Sequence, residues 1–131
     1  MAGAGILNAK RILVVDDEVP LASLIAEILS AEGHRVDIAP NGLAALARVE
    51  HNEYDLILSD LRMPELDGPG LYRELERRRP DLLARIAFVT GSAQTPNMEQ
   101  FLERTGVPIL YKPFRLEELT KLATALLDRQ S

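Results

Sequence analysis

The sequence predicts an α/β protein: a single doubly wound, parallel, five-stranded sheet with helices on both faces. Three observations carry that expectation. Short runs of branched apolar residues alternate with stretches of helical periodicity five times along the chain. The third run ends in unbroken Leu56-Ile57-Leu58, the pattern of a strand buried on both faces of a parallel sheet. At 131 residues, 47% apolar and 27% charged, the chain can bury one core and leaves no room for a second domain.

The first strand is expected at Arg11 to Val15 and stops at Asp16-Asp17-Glu18, with Pro20 suited to the first turn of a helix. Leu21, Leu24, Ile25, Ile28 and Leu29 form one stripe on that helix, which Gly33 ends. His34 to Ala39 alternates as a second strand, Pro40-Asn41-Gly42 turns, and Leu43, Leu46 and Ala47 mark a second helix. Tyr54 to Ser59 is the third strand; Leu71 and Leu75 carry a third helix that Arg77-Arg78-Arg79-Pro80 closes. Arg85 to Thr90 is the fourth strand, and Met98, Phe101 and Leu102 mark a short fourth helix ending at Gly106. Val107 to Tyr111 is the fifth strand, at an edge because Pro108 cannot donate to a ladder. Leu116, Leu119, Leu122, Ala123 and Leu126 complete the last helix. Residues 1–10 read as a loose leader, 11–128 as the folded domain and 129–131 as a tail. Parallel neighbours need right-handed crossovers, and the five strand-then-helix units supply them.

Composition narrows the function. With no cysteine, thiol nucleophiles, thiolate metal sites and disulfides are excluded, and a cytoplasmic setting is expected. A net charge of -5 disfavours nucleic acid and anionic lipid. Neither a membrane-length apolar run nor a signal-peptide pattern is present.

In open parallel sheets ligands bind beyond the carboxyl ends of the strands. Those ends carry Asp16-Asp17-Glu18, Asp60, Thr90 and Lys112; only Pro40-Asn41-Gly42 is chemically bland. Carboxylates about 4 Å apart repel by roughly 4 kcal/mol at an effective dielectric near 20, so such a cluster must protonate or hold a cation. Magnesium suits it, since it accepts carboxylate, carbonyl and water oxygens and shares phosphate oxygens. Lys112 and Thr90 would meet the remaining oxygens of a phosphoryl group. Taken singly, each aspartate is more often a helix cap or turn former. Their conjunction at the predicted strand ends is what favours a phosphate site.

At these residues the chain resembles the receiver domains of two-component response regulators. The motifs are "LVVDDE", "LILSDLRMPELDG", "FVTGS" and "LYKPF", in the family's order and spacing, and the match spans about residues 11–128. The resemblance implies a flavodoxin-like fold with strand order 2-1-3-4-5. It implies Asp60 as the phosphoacceptor, taking the group from a phosphohistidine of a sensor kinase or phosphotransfer protein. It further implies magnesium, or manganese in its place, on Asp17, Asp60 and the backbone carbonyl of Arg62, with Asp16 acting mainly through water. Lys112 would pair with one phosphoryl oxygen and Thr90 would turn to bond another. A cis Lys112-Pro113 bond and a positive φ at Gly68 are also implied.

One departure concerns the switch. The family often places Tyr or Phe three residues before the strand-five lysine, where this chain has Ile109. Tyr111, one residue before the lysine, is expected on the other face of the strand. Signalling is therefore expected to run through Thr90 and the fourth helix, and the ending without that aromatic resembles receivers of hybrid sensor kinases. Arg62 and Ser92, each two residues past a site residue, flank the entry for water. His34 and His51 lack metal-ligand partners, Arg77-Arg78-Arg79 complements a helix end, and no phosphate-binding glycine motif follows a strand, Gly3 and Gly5 preceding the first one.

The expected function is a phosphoacceptor switch or relay that catalyses only its own phosphorylation and slow dephosphorylation. It is expected as a stand-alone regulator or a piece of a larger chain, monomeric or dimerising on phosphorylation. Its output would pass by protein contact through the face of the fourth helix, fifth strand and last helix, near Phe101, Tyr111 and Leu119. A small phosphatase would want a second carboxylate where Arg62 stands, and a constitutive scaffold need not keep Asp17, Asp60 and Lys112 together.

Overall fold

The computed structural model describes residues 9–91 and 95–128. Five strands, β1 (Arg11–Val15), β2 (Arg35–Ala39), β3 (Leu56–Ser59), β4 (Ile86–Thr90) and β5 (Ile109–Tyr111), form one sheet in the order β2-β1-β3-β4-β5. All four pairings are parallel. The helices are α1 (Val19–Ala31), α2 (Gly42–His51), α3 (Gly68–Arg78), α4 (Pro96–Thr105) and α5 (Leu116–Asp128), with a 3-10 helix at Pro80–Arg85 before β4.

Alternation along each strand sorts its side chains into two apolar layers. Leu13, Val15, Ile57 and Phe88 face α2, α3 and α4, meeting Leu46, Val49, Leu71, Leu75 and Phe101. Ile12, Val14, Leu56, Leu58, Ala87 and Val89 face α1 and α5, meeting Ile25, Leu29, Leu119 and Ala123. The central strands are thus buried on both faces, which is why β3 reads as a continuous apolar run.

Helix starts follow local chemistry. The side chains of Asn41, Asp67 and Thr95 accept from the backbone N–H groups of Ala44, Gly70 and Met98, capping α2, α3 and α4. Pro20, Pro69 and Pro96 lie in first turns, where no amide hydrogen is needed. Gly33 and Gly106 follow α1 and α4 at φ 95° and 65°, the left-handed region that a glycine enters without penalty.

Several predicted strands begin later than their apolar runs. Tyr54 turns its hydroxyl onto Asp37 at 2.6 Å, and the Asp55 carboxylate accepts from Arg11 N–H at 2.9 Å, so both precede β3. Arg85 closes the 3-10 helix and holds the Tyr54 carbonyl at 3.0 Å. His34 accepts from Lys10 N–H through Nδ1 at 3.1 Å, just before β2. Val107 and Pro108 precede β5, an edge strand, with only the Pro108 carbonyl joining β4. Of the predicted helical stripes, Leu24, Leu43, Ala47 and Leu116 are exposed, because they sit at the margins of their helices' apolar faces.

The loop after β3 corrects one expectation. Its positive φ falls on Glu65, at 69°, and Gly68 instead opens α3. A Cβ at Gly68 would stand 2.7 Å from Phe88 Cε1 and 2.9 Å from Leu61 Cα, so glycine is required there by space, not by φ. The Lys112-Pro113 bond is cis, as expected.

Candidate functional site

The sheet delivers the acidic residues to one edge by extending its ladder a residue past the strands. Asp16 N–H donates to the Ala39 carbonyl at 3.1 Å, Asp60 N–H to the Val15 carbonyl at 2.8 Å, and Lys112 N–H to the Thr90 carbonyl at 2.8 Å. Because β1 and β3 are neighbours, Asp16 and Asp60 emerge side by side. Asp16, Asp17 and Asp60 each offer a carboxylate oxygen within 4.8 Å of the others; Asp16 and Asp60 are buried and Asp17 is exposed.

The Lys112 ammonium reaches into this cluster from β5. Its Nζ lies 3.3 Å from Glu18 Oε1, 3.4 Å from Asp16 Oδ2 and 3.5 Å from Asp60 Oδ2. Backbone donors hold the other carboxylate oxygens, Glu18 N–H on Asp16 Oδ1 at 2.9 Å and Arg62 N–H on Asp60 Oδ1 at 3.3 Å. Thr90 is buried at the end of β4 beside Gly91. Together Asp17, Glu18, Asp60, Arg62, Thr90, Gly91 and Lys112 line an open cleft of about 350 Å³. The structure therefore assembles every residue singled out at the strand ends; Ser92 lies outside the described residues.

Electrostatics in the cleft are unbalanced. Burial, reinforced by the Asp60 charge, holds the Asp16 carboxyl above its ordinary value despite the Glu18 N–H and Lys112. Burial would lower Lys112, but the charges of Asp60, Asp16 and Glu18 outweigh it and raise the ammonium above its ordinary range. One ammonium facing four carboxylates leaves negative charge uncompensated in a partly buried place. An all-oxygen donor set with three carboxylates this close fits a hard divalent cation.

Residues 12–124 match the family model described as response regulator receiver domain. The chain belongs to this family. The curated relatives include the transcriptional regulatory protein TcrA of Mycobacterium tuberculosis, 33% identical over 125 residues that make up 95% of this chain and 49% of that protein. The receiver thus spans about half the length of that regulator. Among solved structures, a CheY-like receiver domain protein from Methanospirillum hungatei superposes with a TM-score of 0.83 at 30% identity, covering 93% of this chain and 96% of the other. The receiver domain of the sensor histidine kinase PA1611 from Pseudomonas aeruginosa, solved with a magnesium ion coordinated in its active site cleft, gives 0.80 at 30% identity, covering 92% and 98%.

Two features of this receiver differ from the sequence expectation. Ile109 and Tyr111 stand two residues apart and so share a face of β5, pairing with Phe88 and Thr90 across the ladder. Tyr111 is kept out by its place at the strand's end, where it is 52% exposed, and not by parity; Ile109 packs against the Phe88 layer. The second is Glu18. Its acidity was plain in the sequence, but its approach to Lys112 depends on β5 lying beyond β3 and β4, which no local pattern specifies.

Proposed function

We propose that Asp60 is the phosphoacceptor of this receiver and takes its phosphoryl group from a phosphohistidine. The observation that carries this reading is the placement of a buried Asp60 carboxylate against both the Asp16–Asp17 pair and the Lys112 ammonium. In the proposed step an Asp60 carboxylate oxygen attacks phosphorus, the O–P bond forms, the N–P bond breaks, and the departing imidazole takes the electron pair. The Lys112 ammonium offers N–H donors to a phosphoryl oxygen, and the Thr90 hydroxyl offers another. Asp16, Asp17, Asp60 and the backbone carbonyl of Arg62 are the groups that would hold magnesium, or manganese in its place, Asp16 mainly through water. When bound there, the ion would supply neutralisation of phosphoryl charge.

The donor is a sensor kinase or phosphotransfer protein. Output passes to a protein target through the face of α4, β5 and α5, where Tyr111 is exposed. This receiver is a cytoplasmic monomer that can pair when phosphorylated, makes no direct contact with nucleic acid, and catalyses only its own phosphorylation and slow dephosphorylation. Among the described residues no helix is long and apolar enough to cross a membrane. Incubation with acetyl phosphate or beryllofluoride should give an adduct only when magnesium is present, and Asp60→Asn should abolish it. An adduct that survives that substitution, or forms equally well in EDTA, would sink the assignment.

A further inference from the structure

The Lys112 ammonium has three N–H donors, and three carboxylates stand within reach of it. Two of them, Asp16 and Asp60, are buried and fixed by backbone donors. The third, Glu18, is different: its side chain is 64% exposed, it lines the cleft mouth, and it comes within 3.3 Å of Nζ, no farther than either aspartate. From these distances we propose that Glu18 is a positioning residue that holds Lys112 toward solvent in the resting receiver and competes with the incoming phosphoryl group for that ammonium. The proposal rests on the phosphoacceptor reading above and extends it to a residue that reading does not use.

The physical argument is one of donor supply. A phosphoryl group on Asp60 brings several oxygens that need N–H donors, while two of the lysine's three are already given to Asp16 and Glu18. Asp16 is locked by the Glu18 amide, and Asp60 carries the new group, so neither can move aside. The Glu18 side chain can, since among the described residues Lys112 is the one partner its carboxylate shows. Releasing it costs the energy of one ion pair whose glutamate is largely exposed, a change of about two- to five-fold in affinity for a phosphoryl group. Glu18 thereby biases the receiver toward its unphosphorylated form.

The test is a double-mutant cycle read by beryllofluoride titration of the intact chain at saturating magnesium. Glu18→Gln should tighten beryllofluoride binding about two- to five-fold, because the amide releases the lysine. In a Lys112→Ala background the same substitution should change nothing, since there is no ammonium left to share. Simple repulsion between Glu18 and the anion would give equal tightening in both backgrounds, and that result overturns the proposal, as does an unchanged affinity in the Glu18→Gln protein. If beryllofluoride binding to Lys112→Ala is too weak to titrate, the rate of phosphorylation by acetyl phosphate in the same four proteins gives the cycle. A wild-type chain that forms no magnesium-dependent adduct refutes the phosphoacceptor reading itself, an outcome distinct from the other two. Salt adds a readout that a merely structural role would not move: the gain in Glu18→Gln should shrink as ionic strength rises.

Discussion

At the scale of single residues, the molecule's second charged cluster is structural and makes its own prediction. Asp37 accepts from Tyr54 Oη at 2.6 Å and pairs with Arg11 at 3.4 Å and Arg48 at 3.8 Å. Burial would raise its carboxyl, but the phenol and the two arginines outweigh that and hold it below its ordinary value of 3.8. Burial and the same bond push Tyr54 up to about 12. The unfolded chain therefore takes up the Asp37 proton first as pH falls, so the pair's stabilisation is complete above pH 3.8 and is lost as pH drops through the lower folded value. At the alkaline end the Tyr54 contribution is complete below its unfolded value of 10.0 and disappears as pH climbs toward 12. Tyr54→Phe should cost about 1 kcal/mol in urea denaturation at neutral pH, with a smaller loss in acid below the Asp37 transition. This pair had no signature in the sequence, because Asp37 and Tyr54 lie 17 residues apart and meet only when β2 and β3 flank β1. Asp16, Asp17, Asp60, Thr90 and Lys112 were legible for the opposite reason: each ends a strand or lies within two residues of its end, and strand ends of a parallel sheet converge.

At the scale of elements, the loop from β3 into α3 shows where pattern reading stops. That a glycine was needed near its end was visible from "LDG"; what it must avoid was not, since Phe88 arrives from another strand. Gly68→Ala should therefore lower stability by about 1–3 kcal/mol as an overpacking substitution, measured as a lower midpoint in chemical denaturation. Because Gly68 N–H also donates to the Leu61 carbonyl at 2.8 Å, the same variant should loosen the loop that follows Asp60 and slow phosphorylation by acetyl phosphate. Glu65→Gly, by contrast, should be neutral or stabilising, since it relieves a non-glycine residue at φ 69°. Removing the cap of α4 with Thr95→Ala should cost about 1 kcal/mol. Strand existence and order of elements were readable from periodicity, whereas strand starts were not, because Tyr54, Asp55 and Arg85 spend their polar groups on neighbouring segments before the ladder begins.

At the scale of the whole molecule, the two apolar layers meet only through the sheet, and the cleft is assembled from both. Leu61 and Met63, next to Asp60, are buried in the layer under α2, α3 and α4. Leu110 and Phe114, either side of Lys112, pack in the layer under α1 and α5. Truncating a residue in either layer, Leu13→Ala or Leu58→Ala, should cost about 2–5 kcal/mol and reduce phosphorylation only insofar as it unfolds the chain. A further consequence follows from the ladder that runs one residue past each strand. The side chains of Asp60 and Lys112 line an open cleft, yet their amides, and that of Asp16, are bonded to the neighbouring strands at the sheet's carboxyl edge. In deuterium oxide these three amides should exchange as late as those of Val14 and Leu58, on the timescale of global opening, while residues at the cleft rim exchange early. Side chains of the cleft can then change partners while the backbone that carries them stays closed.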